Sequence, residues 1–437
     1  VTCTIHIVGG GLAGCEAALF LAERGRDVRV YEMRPHRTTP AHQTDQLGEL
    51  VCTNSFKSED PANAHGQLKR EMEALGSLLL RVAGRVRVPA GSALAVDRVL
   101  FAEGMTKAVE GHPCIEVVRE EVEELPEGPG MICTGPLTSD ALFESIRSEL
   151  GEDGLSFFDA IAPIVHRESL DEEIVFEAGR FGESSDYLNC PMGREEYRVF
   201  LEALKTANLH QAHDFDNVPY FEGCLPVEVM ASRGEDTLRF GPMKPIGLED
   251  PRTGSRPHAV VQLRREDRQG QMWNLVGFQT RLKIGEQDRV FRLIPGLENA
   301  DFLRWGSIHR NSYLNFPGCL TDWGSLPSRP DLVFAGQLTG VEGYTESASS
   351  GLIAAFNLDR LLSGLDPVLP PPTTMVGGLY RYLRESDPRH FQPMNSNWGL
   401  VDPLPERIRD RRAKRRALAD RAQADFLTWL EGRSHPR

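Results

Sequence analysis

The stretch TIHIVGGGLAGCEAALFLAERGRDVRVYEMRP, residues 4–35, decides how the rest of this 437-residue chain is read. Residues 4–8 are apolar and β-branched, as a buried parallel strand requires. Gly9, Gly11 and Gly14 then fall at GxGxxG spacing, with Gly10, Leu12 and Ala13 between them. Residues 15–24 carry helical apolar periodicity, and residues 28–31 form a second strand that ends at Glu32, followed by Met33 and Arg34. Each glycine has its own task. Gly9 allows the tight turn, Gly11 lets the backbone approach a pyrophosphate, and Gly14 lets helix and strand pack closely. The helix N-terminus offers free N–H groups to phosphate, and Glu32 can accept hydrogen bonds from ribose hydroxyls. Strand, glycines, helix, strand and acid in that order within about 30 residues predict a dinucleotide-binding unit. The motif does not choose between FAD and NAD.

A second stretch repeats the grammar. In PDLVFAGQLTGVEGYTESASSGLIAAFNLDRLL, residues 330–362, a strand at 332–335 runs into a turn holding Gly336, Gly340 and Gly343. A helix is expected from 347 to 362, with small residues including Gly351 near its start. Two helix N-termini about 300 residues apart suit a long ligand held from both sides, as in flavoproteins of the glutathione-reductase type. The expected fold is therefore α/β: a discontinuous FAD-binding Rossmann-like domain from residues 1–150 and 300–365. An α+β domain is inserted at 151–299. A proline-rich linker and a basic C-terminal helix occupy 366–437.

Bulk composition narrows the function. The net charge is −14, apolar residues make up 40%, and no apolar run is long enough for a membrane span. The chain opens on a strand rather than a signal peptide, and its eight cysteines form no CxxC. These features predict free thiols and a cytoplasmic setting. Cys3, Cys15 and Cys133 lie inside strand or helix patterns and read as small buried hydrophobes. Cys52, in GELVCTNSFKS, is a solitary thiol beside Thr53, Asn54 and Lys57, and Lys57 would favour its thiolate. Cys224, in YFEGCLPVEVMASRG, sits between a glycine and a Leu-Pro turn. For these two, reactive and buried readings both stand. His210 and His213 have HxxH spacing but lack an evident third ligand, so they read as a surface helix end and no metal is expected.

Several stretches together resemble the folate- and FAD-dependent tRNA (uracil-5-)methyltransferases. They are VGGGLAGCEAALFLAERG, LVCTNSFKS, GSALAVDR, FEGCLPVEVMA, GPMKPIGL, VVQLRREDRQGQMWNLVGFQTRLK, RLIPGLENADFLRWGSIHRNSY and GQLTGVEGYTESASSGL. Relatives that modify the wobble uridine share the FAD motifs but are longer, with an extra helical domain. A plain FAD oxidoreductase of a small metabolite is the other alternative. The resemblance implies a reaction that uses the thiols. Uracil C5 is a poor nucleophile; a thiolate adding to C6 turns C5 into an enolate carbon that attacks the methylene of methylenetetrahydrofolate. Two further electrons, delivered as hydride by reduced FAD, complete the methyl group, and NAD(P)H reloads the flavin. The resemblance makes Cys224 the nucleophile and Cys52 the assisting thiol or base. It places Tyr344 beside the isoalloxazine, with Asn54 among the FAD contacts, and makes Arg281 and His309 candidates for gripping folate.

One segment departs from the acidic whole. PERIRDRRAKRRALADR, residues 405–421, holds eight Lys/Arg against three Asp/Glu. Pro405 is expected at helix N1 with Asp402 as cap. Leu418, Ala422, Phe426 and Leu430 supply an apolar docking face. Arg407, Arg411, Arg412, Lys414, Arg415 and Arg416 face outward, where they suit tRNA phosphates.

Overall fold

The computed structural model describes residues 3–39, 41–151, 155–182, 184–209 and 225–432, and the backbone alone for 155–161 and 307–310. Cys224, His210 and His213 lie outside the described residues, as does the side chain of His309. A five-stranded parallel sheet forms the first layer. Its order is Leu332–Phe334, Gly130–Ile132, Ile5–Val8, Val28–Tyr31 and Ile115–Val118. The late strand thus joins the sheet laid down by the first 132 residues. Register is fixed by buried side chains: Ile5 faces Val28, and Ile7 faces Val30.

Helix Leu12–Ala22 is buried along its whole length. An all-round apolar helix must be covered on every side, and here the sheet and helix Tyr344–Leu362 cover it. A Cβ on Gly351 would stand 2.4 Å from Ala13 O, so glycine is what lets these two helices touch backbone to backbone.

A second sheet is antiparallel and six-stranded. Its order is Phe176–Glu177, Tyr187–Met192, Ala259–Arg265, Met272–Leu275, Ile164–His166 and Phe302–Arg304. It has its own hydrophobic cluster, including Phe200, Phe278 and Phe291, separate from the one around the parallel sheet. Polar contacts lock the two layers. Arg268 N–H donates to Asp97 Oδ2 (3.1 Å), and Arg98 pairs with the buried Glu266 (2.8 Å).

Three sequence expectations are corrected. The C-terminal helix spans Arg411–Glu431, not from Pro405: Asp410 caps it by accepting from Ala413 N–H (2.7 Å), while Asp402 is engaged by Arg381. Its docking face is as expected at Leu418, Ala422 and Phe426, which are buried against the core. Cys3 is exposed, because the strand begins only at Ile5. A further helix, Met375–Glu385, follows the proline-rich stretch. Gly377 and Gly378 in its first turns mask it in the sequence; they are there because Pro371 O and Leu400 O press against them. No helix among the described residues is long and apolar enough to cross a membrane.

Candidate active site

The GxGxxG turn forms one wall of a cavity at the carboxyl ends of the parallel strands, where open α/β sheets bind ligands. Gly9 has φ +106°, and a Cβ there would meet Cys133 O at 2.6 Å. At Gly14 a Cβ would meet Gly9 O at 2.0 Å. Gly11 differs: a Cβ would have only one neighbour, 4.0 Å away, so its open side faces the cavity. It is also the N-cap of the first helix and offers no side chain to the free N–H groups there. That combination fits a pyrophosphate.

Glu32, Met33 and Arg34 line the same cavity. The Glu32 carboxylate already accepts four protein hydrogen bonds. Gly10 N–H (3.1 Å) and Arg34 Nη2 (3.1 Å) reach Oε2; Arg34 N–H (3.1 Å) and Arg34 Nε (2.9 Å) reach Oε1. Burial opposes its charge, but the Arg34 guanidinium outweighs that and holds its pKa below the usual carboxylate value. Arg34 in turn pairs with Glu49 (3.0 Å). Glu32 therefore fixes the turn as well as facing the ligand.

A second cavity, of about 290 Å³, lies between the two sheets. Cys52, Thr53, Lys57, Arg264, Gly343 and Tyr344 are among its walls. Leu137, on the Gly135–Leu137 turn, lines both cavities, so they adjoin. Together they make an elongated site suited to FAD, with the pyrophosphate at Gly11 and the far end at Cys52.

The Cys52 loop is held from several directions. Tyr344 Oη accepts from Cys52 N–H (2.7 Å) and Thr53 N–H (3.1 Å), and its ring meets Phe56 edge-on. Burial raises the Tyr344 pKa, so the phenol stays protonated at neutral pH. Arg304 Nη2 donates to Val51 O (3.1 Å), and Arg98 Nη2 to Cys52 O (3.4 Å). Arg264 Nε donates to Asn54 Oδ1 (3.0 Å), while Asn54 Nδ2 donates to Val96 O (2.8 Å) and Arg265 O (2.9 Å). The charges that bear on Cys52 include Arg98 and Arg304, and Lys57 bears on Glu346. By contrast Cys15 and Cys133 are sealed in the core, and burial pushes the Cys133 thiol up to about 12.

The expected site residues therefore separate. Gly9, Gly10, Gly11, Glu32, Met33 and Arg34 meet at the first cavity; Cys52 and Tyr344 meet at the second. Leu12, Ala13, Gly14, Asn54, Gly336, Gly340 and Gly351 line neither. Gly336 and Gly351 admit Ala13, Gly340 admits the Phe391 ring, and Asn54 braces the two layers. Arg281 lies outside the second cavity, where its N–H donates to Glu228 Oε1 (2.9 Å) and its guanidinium stands 3.7 Å from the same oxygen. His309 is on strand Ser307–Tyr313, paired with Asp159. The described chain resumes after Cys224 at Leu225. Val227 N–H donates to the carbonyl of Gln279, itself a wall of the second cavity. Arg98, Arg264 and Arg304 went unrecognised in the sequence; the run VVQLRRED, with two arginines ending an apolar strand, was the available signal for Arg264.

Residues 4–366 match the family described as GIDA, glucose inhibited division protein A. The chain belongs to this family. Within it, the chain is 54% identical over 433 residues to the methylenetetrahydrofolate–tRNA-(uracil-5-)-methyltransferase TrmFO of Geobacter sulfurreducens, covering 98% of this chain and 99% of that protein. It is 52% identical over 432 residues to a protein of the same name from Thermus thermophilus, covering 99% of this chain and 97% of that protein. Among solved structures, Aquifex aeolicus GidA superposes with TM-score 0.68 at 16% identity. That match covers 98% of this chain and 76% of the GidA chain, and it establishes a shared GIDA-family fold.

Proposed function

We propose that this chain is a folate- and FAD-dependent tRNA (uracil-5-)methyltransferase of the cytoplasm that converts the T-loop uridine at tRNA position 54 to 5-methyluridine. Residues 1–150 and 300–365 serve FAD, and 151–299 serve substrate. The observation that carries this reading is the Cys52 loop, fixed by Tyr344 on the wall of a cavity that adjoins the dinucleotide turn. Relatives bearing that activity in their names match over nearly the full length.

Bound FAD, once reduced by NAD(P)H, supplies the hydride that turns a methylene carbon into a methyl group. The protein's own part is to position and to handle protons. Cys224 provides the thiolate for uracil C6. Cys52 removes the C5 proton, with Arg98 and Arg304 near enough to favour its charged form. The neutral Tyr344 phenol already accepts two backbone N–H bonds, so its own proton is free to donate into the cavity. Arg281 and His309 hold methylenetetrahydrofolate, and the exposed face of helix Arg411–Glu431, with Arg407 ahead of it, meets tRNA phosphates.

The test is incubation of the purified protein with a tRNA transcript, methylenetetrahydrofolate and NAD(P)H, followed by nucleoside analysis. 5-Methyluridine is expected from the parent and is absent from Cys52→Ala and Cys224→Ala. A covalent adduct on 5-fluorouridine tRNA is expected with the parent and lost in Cys224→Ala. Unmethylated tRNA from flavin-loaded parent protein overturns the assignment.

A further inference from the structure

Lys57 has φ +62°, a backbone conformation that side-chain-bearing residues other than Asn and Asp rarely take. It stands where strand Ser55–Ser58 slips register against Ala93–Val96, two residues, Phe56 and Lys57, opposite the single Leu94. Such bulges re-aim a side chain, and strained residues of this kind cluster at functional sites. The re-aimed side chain lines the second cavity and forms no ion pair among the described residues.

An open groove of about 760 Å³ runs under the C-terminal helix. Arg411, Lys414 and Arg415 line one side, His65 and Trp398 the other. Those three cations likewise form no ion pair among the described residues. Asn395 lines both this groove and the second cavity, so it stands on the boundary between the two. The indole of Trp398 is fixed by its Nε1–H bond to Ala62 O (2.9 Å). A row of unpaired cations with an aromatic face among them suits a nucleic-acid strand, whose phosphates pair and whose bases stack. An acidic peptide would use the cations and leave the aromatic idle.

We propose that this groove carries the substrate RNA strand to the cavity, its phosphates held by Arg411, Lys414, Arg415 and, innermost, Lys57. The inference rests on the tRNA activity given above and adds the route to the site. Binding of a labelled tRNA transcript is measured by anisotropy across a salt series. The triple variant Arg411→Ala, Lys414→Ala, Arg415→Ala is expected to raise Kd at least tenfold. Its salt slope should flatten by about 0.7–0.9 per lost phosphate contact. Lys57→Gly removes the strain together with the charge that supports Glu346, so it should melt near the parent's temperature while its Kd rises several-fold; Lys57→Arg should keep most of the affinity. Lys107→Ala, an exposed cation on helix Arg98–Glu110, should change nothing. Parent-like Kd and slope in both the triple variant and Lys57→Gly overturn the groove, as does equal competition from polyglutamate and unlabelled tRNA at matched charge. A parent that fails to methylate tRNA sinks the function itself and the route with it; a methylating parent with unaffected variants sinks the route alone.

Discussion

The two cavities are built by opposite means. The first is the more local: its turn, helix and acid come from residues 9–34, and the rest of its wall from residues 39–42 and 120–142. The second is assembled at long range. Cys52 is pinned by Tyr344, and its loop by arginines from positions 98, 264 and 304. A local site is limited by steric fit, and a distributed one by hydrogen bonds that must all close together. Substitutions should therefore break the first abruptly and loosen the second by degrees.

The sharpest break is expected at Gly14. A methyl group 2.0 Å from Gly9 O cannot be accommodated without moving the turn. Gly14→Ala should yield protein without bound flavin and with a melting temperature lowered by many degrees, the overpacking costing upwards of about 3 kcal/mol. Gly11→Ala is the control within the same turn. Its methyl meets almost no protein, so the apoprotein should melt like the parent while FAD affinity falls at least tenfold in a titration followed by flavin fluorescence. Equal melting losses in both variants would erase the distinction between packing glycine and ligand glycine.

Tyr344→Phe probes the distributed site. It strips the acceptor from the Cys52 and Thr53 N–H groups, a cost of about 1–3 kcal/mol. Flavin content should persist while the methylation rate drops about tenfold. A parent-like rate would show that the loop holds its place without the phenol.

The smallest effect is one of pH, and its sign differs between the regions. Glu16, on the first helix, is fully buried and accepts from Leu78 N–H (2.8 Å) and Leu79 N–H (2.9 Å). Burial raises its pKa to about 7. The folded state then holds a proton that the unfolded state has released, so stability falls as pH rises from about 4.5 to about 7. The slope is at most about 1.4 kcal/mol per pH unit. Glu346, in the first turn of helix Tyr344–Leu362, is the reverse case. Against the cost of burial, the His65 ring, 3.2 Å away, and the Lys57 charge lower its pKa. Its contribution is present above about pH 4.5 and is lost as pH falls. Melting curves of Glu16→Gln and Glu346→Gln against pH should flatten at opposite ends; flattening at the same end would contradict the assignment.

What could be read from sequence follows the same divide. Strand Val28–Tyr31 lies where expected, and the late strand–turn–helix needed only a three-residue extension of its helix to Tyr344, because both rest on periodicity and turn chemistry. Asp97 caps helix Arg98–Glu110, its side chain accepting from Val99 and Leu100 N–H. Gly340, Gly351 and Asn54 could not be sorted in the sequence into packing and ligand-facing residues. Their neighbours are Phe391, Ala13 and Arg264, at distances along the chain that no local pattern encodes. The arginine clamp was hidden for the same reason. Helix Met375–Glu385 was masked by Gly377 and Gly378, and its first-turn Met375 and Val376 N–H groups are satisfied by Glu71, some 300 residues earlier.

In the parallel sheet, strand Leu332–Phe334 pairs with Gly130–Ile132, made about 200 residues before it. At a synthesis rate of about 5–20 residues per second, the emerging chain carries an unpaired sheet edge for roughly 10–40 seconds. The Cys52 loop waits as long for Tyr344, which leaves the ribosome just after that strand. Maturation of this enzyme thus follows the order of translation, with the nucleotide turn preformed and the chemical centre completed last.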